Sequence, residues 1–336
     1  MLPGPAGRAR VGDHRRRGYF HVWSRPVTSA DETRTYPGAR RPDRHRRVDT
    51  TGISLAVHEW GDEDAPPVLL AHGGFDFAGT YDVFAPLLAD AGWRVVSWDQ
   101  RGHGDSEHAP LYQWEADIRD ALAVFDSVTP DPVPVIGHSK GGSLMSQLAA
   151  SLPGRISSLV NIDGVPSHRS MPDVQDHDRT KLLADDLAGW LDHRRRSATN
   201  SRKPGTIEEL AQRRSQMNPR LSQEWLEYLV TIGARRDEDG WRWKIDPSLR
   251  MGGFGPWRPE WSLYRLPDIT IPFLVVLGSE PEPMGWGTKT GDVWPYLPRQ
   301  ARAVEVPDVG HFVHIEAPAA TAELVLEHLG TPGGRS

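Results

Sequence analysis

The sequence of 336 residues contains no cysteine. This excludes disulfides, thiolate zinc sites and a cysteine nucleophile, so nucleophilic catalysis would need another residue type. No apolar run approaches the roughly 20 residues of a membrane-spanning helix, which predicts a soluble, cytoplasmic protein with no membrane partner. The chain also lacks a dinucleotide-binding glycine fingerprint and paired histidines at metal-ligand spacing. Neither a metal nor an organic cofactor is therefore expected.

Positive charge is concentrated at the N-terminus. Residues 1–48 hold twelve arginines and four acidic residues, a net charge of +8 that leaves −14 for the rest of the chain. Because this segment shows no sustained helix or strand period, it is expected to be a disordered extension. No apolar region follows its arginines, which argues against a secretory or twin-arginine signal. The acidic balance of the remainder disfavours nucleic-acid binding.

From residue 49 onward, short β-branched runs alternate with amphipathic stretches. This alternation predicts a doubly wound α/β fold, in which helices cover both faces of a mostly parallel sheet. The candidate strands are Ile53–Glu59, Val68–Ala71, Arg94–Trp98, Val133–Ile136, Ile156–Ile162, Phe273–Leu277 and Ala303–Val306. The candidate helices of the core are Tyr81–Ala91, Trp114–Ser127, Lys140–Leu152 and Ala319–Leu329.

The alternation stops between residues 165 and 266. This stretch carries helical periods, charge clusters and six tryptophans. It is interpreted as a helical cap inserted into a core made of residues 49–164 and 267–336. Its predicted helices are Asp178–Arg196, Thr206–Gln216 and Ser222–Val230.

The pentapeptide Gly137-His138-Ser139-Lys140-Gly141 lies between a predicted strand and a predicted helix. A Gly-x-Ser-x-Gly sequence in that context indicates a nucleophile elbow, a sharp turn that gives the serine a positive φ and exposes its hydroxyl. Ser139 is therefore the candidate nucleophile. The backbone amide of Lys140, at the start of the helix, is a candidate oxyanion donor.

A serine nucleophile needs a second oxyanion donor and a histidine base. His72-Gly73-Gly74 follows the strand Val68–Ala71, so the amide of Gly74 is the second candidate donor. Gly310-His311-Phe312 follows the last predicted strand, which makes His311 the candidate base. The nearby His314 is expected to pack against the terminal helix, or to lie hydrated at the rim of the site, rather than to react.

The carboxylate that would orient His311 has three candidates, of which only one is required. Glu280 and Glu282 follow the strand Phe273–Leu277, on either side of a proline. Asp163 ends the strand Ile156–Ile162 and points by position toward the same edge of the sheet. The residues alone leave this choice open.

The expected ligand is a small-molecule substrate, and aromatic residues are expected to form its pocket. The tryptophans of the predicted cap are Trp190, Trp225, Trp241, Trp243, Trp257 and Trp261. Most should simply pack, because tryptophan is a good core residue. The residues expected to line the pocket are Phe75, His138, Trp257, Trp261 and Trp286.

From about residue 48 to 330 the chain resembles the α/β-hydrolase superfamily, in the cap-bearing branch of esterases, lactonases, carbon–carbon bond hydrolases, epoxide hydrolases and haloalkane dehalogenases. The motifs that carry the resemblance are His72-Gly73-Gly74, Asp99-Gln100-Arg101-Gly102-His103-Gly104, the Ser139 elbow with Gly142, Leu159-Val160-Asn161-Ile162-Asp163 and Val309-Gly310-His311-Phe312. The resemblance implies Ser139 as nucleophile, His311 as base, and the amides of Gly74 and Lys140 as the oxyanion hole.

Two departures from the family pattern bear on the chemistry. Epoxide hydrolases and dehalogenases of this branch carry an aspartate at the elbow, so Ser139 favours acyl transfer instead. The position of the usual acid is occupied by Pro281, and relatives that lack this acid often take it from the position of Asp163. A carbon–carbon bond hydrolase and a catalytically silent ligand-binding protein are the alternative functions. The sequence does not indicate the substrate or the oligomeric state.

Overall fold

An eight-stranded sheet forms the centre of the protein. The computed structural model describes residues 34–167, 176–197, 200–249 and 259–332. The strand order is β1-β2-β4-β3-β5-β6-β9-β10. The strands are β1 Arg44–Thr50, β2 Ile53–Trp60, β3 Pro67–Ala71, β4 Arg94–Trp98, β5 Val133–His138, β6 Ile156–Ile162, β9 Phe273–Gly278 and β10 Ala301–Val306.

Strands β3, β4, β5, β6, β9 and β10 are parallel to one another, and β2 runs antiparallel to both β1 and β4. The central strands are almost continuously apolar because helices cover both faces of the sheet. This confirms the predicted α/β fold. The carboxyl ends of β3, β5, β6 and β9 lie side by side, which is where open α/β sheets build their sites.

Helices pack on both faces of the sheet over two separate hydrophobic cores. One core contains Trp98, Phe125 and Met145, and the other contains Trp60 and Phe84. The helices of the core are α1 Ala85–Asp90, α2 Trp114–Val128, α3 Lys140–Ser151, α7 Thr290–Val293, α8 Val313–Glu316 and α9 Pro318–Leu329. None of the helices in the described parts of the chain is long and apolar enough to cross a bilayer.

In its described residues, the segment between β6 and β9 contains three α-helices, a β-hairpin and a 3-10 helix over Pro259–Asp268. The α-helices and the hairpin strands are α4 Asp176–Ser197, α5 Ile207–Ser215, α6 Gln223–Gly233, β7 Ala234–Asp237 and β8 Gly240–Trp243. The sequence predicted the α-helices but missed the antiparallel hairpin, whose two strands have only four residues each. A third hydrophobic cluster joins this insertion to the core, because Phe77 and Phe312 pack with Trp225 and Leu226.

The predicted boundary at residue 48 is wrong for the last part of the N-terminal segment. Strand β1 is an ordered edge strand paired with β2, and its arginines Arg44 and Arg46 contact the buried carboxylate of Glu59. Tyr36 packs on Trp225 of the insertion, with 4.9 Å between ring centroids. These contacts explain why an arginine-rich stretch is ordered. Residues 1–33 lie outside the described part of the chain.

Candidate active site

Ser139 forms the turn between β5 and α3 by itself. Strand β5 ends at His138, helix α3 begins at Lys140, and Ser139 between them has φ 51° and ψ −120°. This left-handed conformation is strained for a residue with a side chain and typically persists only where the surroundings enforce it. Here the Ser139 N–H donates to the carbonyl of Ile162 on β6 at 2.9 Å. The backbone therefore has the geometry of a nucleophile elbow.

Gly137, two residues before Ser139, allows the strand and the helix to approach closely. A Cβ added at Gly137 would lie 2.5 Å from the carbonyl oxygen of Gly141, a distance that real side chains do not tolerate. The first amides of a helix have no partner within the helix, so those of α3 are available to an anion at the turn. The side chain of Lys140 is engaged elsewhere, because its Nζ lies 2.7 Å from Oδ2 of Asp117.

Asp163 and His311 form a buried hydrogen-bonded pair. Oδ2 of Asp163 lies 2.5 Å from Nδ1 of His311, and the two residues are 8% and 2% exposed. Asp163 directly follows β6, has a positive φ of 47°, and its other carboxylate oxygen accepts the amide of Gly278 at 3.4 Å. Because a carboxylate at Nδ1 fixes the tautomer, Nε2 of His311 is the nitrogen left to accept a proton.

The two glutamates of the β9 loop occupy different positions from Asp163. Oε2 of Glu282 accepts the backbone N–H of His311 at 2.7 Å, so Glu282 contacts the main chain of the histidine and not its ring. Burial raises the pKa of the Glu282 carboxyl, although the hydrogen bond from the backbone N–H of His311 opposes this effect. Glu280 is exposed, and its carboxylate accepts a hydrogen bond from the neighbouring Ser279. Of the three candidate acids, only Asp163 therefore bonds the His311 ring.

His138 connects the elbow to the His311 loop. Its Nε2 lies 3.0 Å from the carbonyl oxygen of His311, so this nitrogen carries the hydrogen. The ring is 1% exposed, and its centroid lies 4.7 Å from that of His311 and 4.5 Å from that of His314. His138 therefore holds the His311 backbone from inside the protein, and its place in the substrate pocket stays a prediction.

The neighbouring histidines are held in the neutral form. Burial lowers the pKa of His314 to about 3, and it lowers the pKa of His138 well below the usual value. His314 is completely buried, and neither of its ring nitrogens has a hydrogen-bond partner among the described residues. It packs against Tyr81, with 5.0 Å between ring centroids. His314 is thus a packed residue, as predicted.

The loop that follows β3 carries the predicted second oxyanion donor, Gly74. The next residue, Phe75, also has a positive φ, 61°, as do Ser139 and Asp163. Its N–H donates to Nε2 of His103 at 3.2 Å, which engages the Phe75 amide and not that of Gly74. His103 is fully buried, and burial lowers its pKa well below the usual value. A neutral His103 can accept this hydrogen bond.

The predicted aromatic pocket is only partly described. Phe75 and Trp286 are half-buried. Trp286 follows Gly285, where an added Cβ would lie 3.4 Å from Nδ1 of His311. Trp257 and the side chain of Trp261 lie outside the described residues. The ionisable side chains described in the structure include no group of three or more that could hold a metal ion.

A sequence model of the alpha/beta hydrolase family matches residues 68–324. The chain belongs to this family. Among its relatives are serine hydrolase-like proteins of Dictyostelium discoideum, 26% identical over 83% of this chain and 79% of the relative, and of Danio rerio, 24% identical over 86% and 89%. The fold is similar to that of a thioesterase domain from the curacin biosynthetic pathway, with a TM-score of 0.71, 24% identity, and coverage of 84% of this chain and 99% of that domain.

Three contributors to the site were missed by sequence reasoning. Asn161 accepts the amide of Gly164 through Oδ1 at 2.8 Å and so braces the loop after Asp163. Asp76 and Arg214 form a buried ion pair that joins the Gly74 loop to the insertion. Asp76 lies two residues after the glycine motif and was a visible signal, but its partner lies 138 residues away in the chain.

Proposed function

We propose that this α/β hydrolase is a serine hydrolase that cleaves an ester, lactone or similar acyl bond of a small, largely apolar molecule through an acyl-enzyme on Ser139. The observation that carries the proposal is the 2.5 Å contact between Oδ2 of Asp163 and Nδ1 of His311, in a loop that also contacts the elbow through His138. A nucleophile turn, a base and an orienting carboxylate are the three groups that acyl transfer by a serine needs.

In the proposed first step, Oγ of Ser139 attacks the substrate carbonyl carbon while Nε2 of His311 takes the hydroxyl proton. The tetrahedral intermediate collapses, the bond to the leaving group breaks, and His311 returns the proton to the departing oxygen. Water then attacks the acyl-enzyme with His311 again as base, which releases the acid and restores Ser139. The carboxylate of Asp163 stabilises the imidazolium that forms in each half-reaction.

The amides of Lys140 and Gly74 are proposed to stabilise the oxyanion. Lys140 is supported by its place as the first residue of α3, where amides are unpaired and the helix dipole favours negative charge. Gly74 is supported by its place in the loop after β3, because a Cβ added at the preceding Gly73 would lie 2.9 Å from Nδ1 of His138 at the elbow. Each such donor is worth about 10²- to 10³-fold in rate.

Hydrolysis of a panel of p-nitrophenyl esters tests the proposal. We expect the wild-type protein to turn over short or medium acyl chains. Ser139→Ala should lose at least about 10³-fold in kcat. The matched control is Ser151→Ala, which removes an exposed serine from the same helix and should leave kcat unchanged. Folded wild-type protein that hydrolyses no ester, or a Ser139→Ala variant that remains fully active, would refute the proposal.

A further inference from the structure

Arg214 of the insertion reaches into the core beside the proposed oxyanion loop. It lies near the end of helix α5, and its Nη2 forms an ion pair with Oδ1 of Asp76. Its Nη1 also donates to the carbonyl oxygen of Phe75 at 3.3 Å. The side chains of Arg214 and Asp76 are only 11% and 2% exposed. The guanidinium therefore bonds two consecutive residues of one buried loop.

The conformation of this loop is strained and has to be held. Phe75 has a φ of 61°, in the left-handed region that residues with side chains rarely adopt. Its N–H is bonded to His103, a residue of the core, and its carbonyl is bonded to Arg214, a residue of the insertion. The peptides on either side of Phe75 are therefore each held, one by the core and the other by the insertion.

The carboxylate of Asp76 lies against Gly73 of the same loop. A Cβ added at Gly73 would lie 3.0 Å from Oδ2 of Asp76 and 2.9 Å from Nδ1 of His138. Gly74 thus lies between Gly73, which is in contact with the Asp76 carboxylate, and Phe75, whose carbonyl accepts a hydrogen bond from Arg214. The Gly74 N–H lies in the same peptide plane as the Gly73 carbonyl, which accepts hydrogen bonds from Nδ1 of His72 at 2.7 Å and from the Asp76 N–H at 3.4 Å. Asp76, the ion-pair partner of Arg214, therefore helps to set the direction of this N–H.

Arg214 is not needed to attach the insertion to the core. Tyr228 of α6 donates to the buried carboxylate of Asp82 at 2.5 Å, and Arg41 bonds the same carboxylate at 2.7 Å. The hydrophobic cluster that contains Phe77 and Trp225 provides a second, independent attachment. The loss of Arg214 should therefore act on the Gly74 loop and leave the insertion in place.

From these contacts we infer that Arg214 is a positioning residue for the oxyanion loop, so that the insertion sets the orientation of the Gly74 amide. This inference rests on the proposed acyl-transfer function. It gives the insertion a part in stabilising the transition state, and the loss of that part lowers kcat. A part in substrate binding alone would instead change KM.

The test compares Arg214→Met with Arg213→Met in ester hydrolysis. Arg213 is the matched control, because it precedes Arg214 on α5 and its guanidinium bonds only the insertion, at the carbonyls of Glu209, Lys203 and Pro204. We expect Arg214→Met to lower kcat by roughly tenfold or more with little change in KM, and Arg213→Met to behave as wild type. Methylguanidinium at millimolar concentration should restore part of the kcat of Arg214→Met and have no effect on Arg213→Met.

The outcomes separate the inference from the proposed function. If wild-type protein hydrolyses esters but Arg214→Met keeps its kcat, the inference alone is wrong. The same holds if Arg214→Met loses kcat only in proportion to a loss of folded protein, as measured by circular dichroism, and methylguanidinium restores nothing. If wild-type protein hydrolyses no ester, both the proposed function and the inference fall.

Discussion

Glu282 accepts the backbone N–H of His311 through Oε2 at 2.7 Å, while Asp163 bonds Nδ1 of the same residue at 2.5 Å. Two carboxylates from neighbouring loops thus contact one histidine at different atoms. Only the acid on the ring can stabilise an imidazolium directly and fix its tautomer. The acid on the main chain can only set where the histidine sits. This difference separates the effects of substituting the two residues.

Replacing Asp163 should abolish most of the activity without unfolding the protein. Asp163→Asn keeps the size of the side chain but cannot stabilise a positive imidazole, so we expect kcat to fall by about 10³-fold or more. Glu280→Gln is the control, because Glu280 is exposed and its carboxylate accepts a hydrogen bond from the adjacent Ser279 and none from the His311 ring. Ester hydrolysis measures both variants. Equal, mild effects would show that Asp163 is not the acid of the site.

Replacing Glu282 should affect stability more than chemistry, and in a way that depends on the substitute. Glu282→Gln retains an oxygen that can accept the His311 N–H, so its free energy of unfolding should stay near the wild-type value. Glu282→Ala leaves that buried N–H unpaired, which costs about 1–3 kcal/mol. Urea denaturation measures the difference. Glu282→Ala as stable as Glu282→Gln would mean that the hydrogen bond contributes little.

The buried neutral His314 should make the protein sensitive to acid. Its pKa falls from 6.5 to about 3 on folding, so between these values the unfolded chain binds a proton that the folded chain does not. Stability should therefore fall as pH drops through this window, by up to about 1.4 kcal/mol per pH unit from this residue. His314→Phe should flatten the decline.

Urea denaturation at several pH values between 6.5 and 4 checks this slope. The control is His108→Phe, which replaces an exposed histidine and should decline as the wild type does. Other buried histidines, including His138 and His103, also have lowered pKa values and will leave a residual slope in both variants. Identical slopes for the two variants would contradict the assignment.

The strained backbone of Ser139 predicts a conflict between stability and activity. At φ 51°, glycine adopts the turn without the strain that a Cβ imposes. Ser139→Gly should therefore be more stable than Ser139→Ala by about 1 kcal/mol, and both should be inactive. Thermal or urea unfolding of the two variants measures this. A more stable alanine variant would mean that the turn is not strained.

The order and type of the core elements could be predicted because the strands are short apolar runs and the motifs stand directly at their ends. The acid could not be predicted, for a topological reason. Strands β6 and β9 are neighbours in the sheet, so the loops that carry Asp163 and Glu282 both end beside His311. Which carboxylate reaches the ring depends on backbone direction, and the positive φ of Asp163 has no sequence signature for a non-glycine residue.

Strand β1 was missed because its composition suggests disorder. It reads Arg-His-Arg-Arg-Val-Asp-Thr, with only one buried residue, and it is ordered by partners that are distant in sequence. Burial alone would raise the pKa of the Glu59 carboxyl, but Arg46 and Arg94 lower it by more than burial raises it. The carboxylate therefore remains charged and attracts the strand. A pattern search within the segment cannot detect a contact of this kind.

The most direct test of the proposed triad is the rate at which a fluorophosphonate modifies Ser139. Intact-protein mass spectrometry measures this rate, and peptide mapping identifies the modified residue. Reaction requires an activated serine and does not depend on knowing the natural substrate. Wild-type protein and Glu280→Gln should form one adduct, on Ser139, at similar rates, and Asp163→Asn should react at least about 10²-fold more slowly. Folded wild-type protein that stays unmodified, or Asp163→Asn that reacts as fast as wild type, would contradict the account.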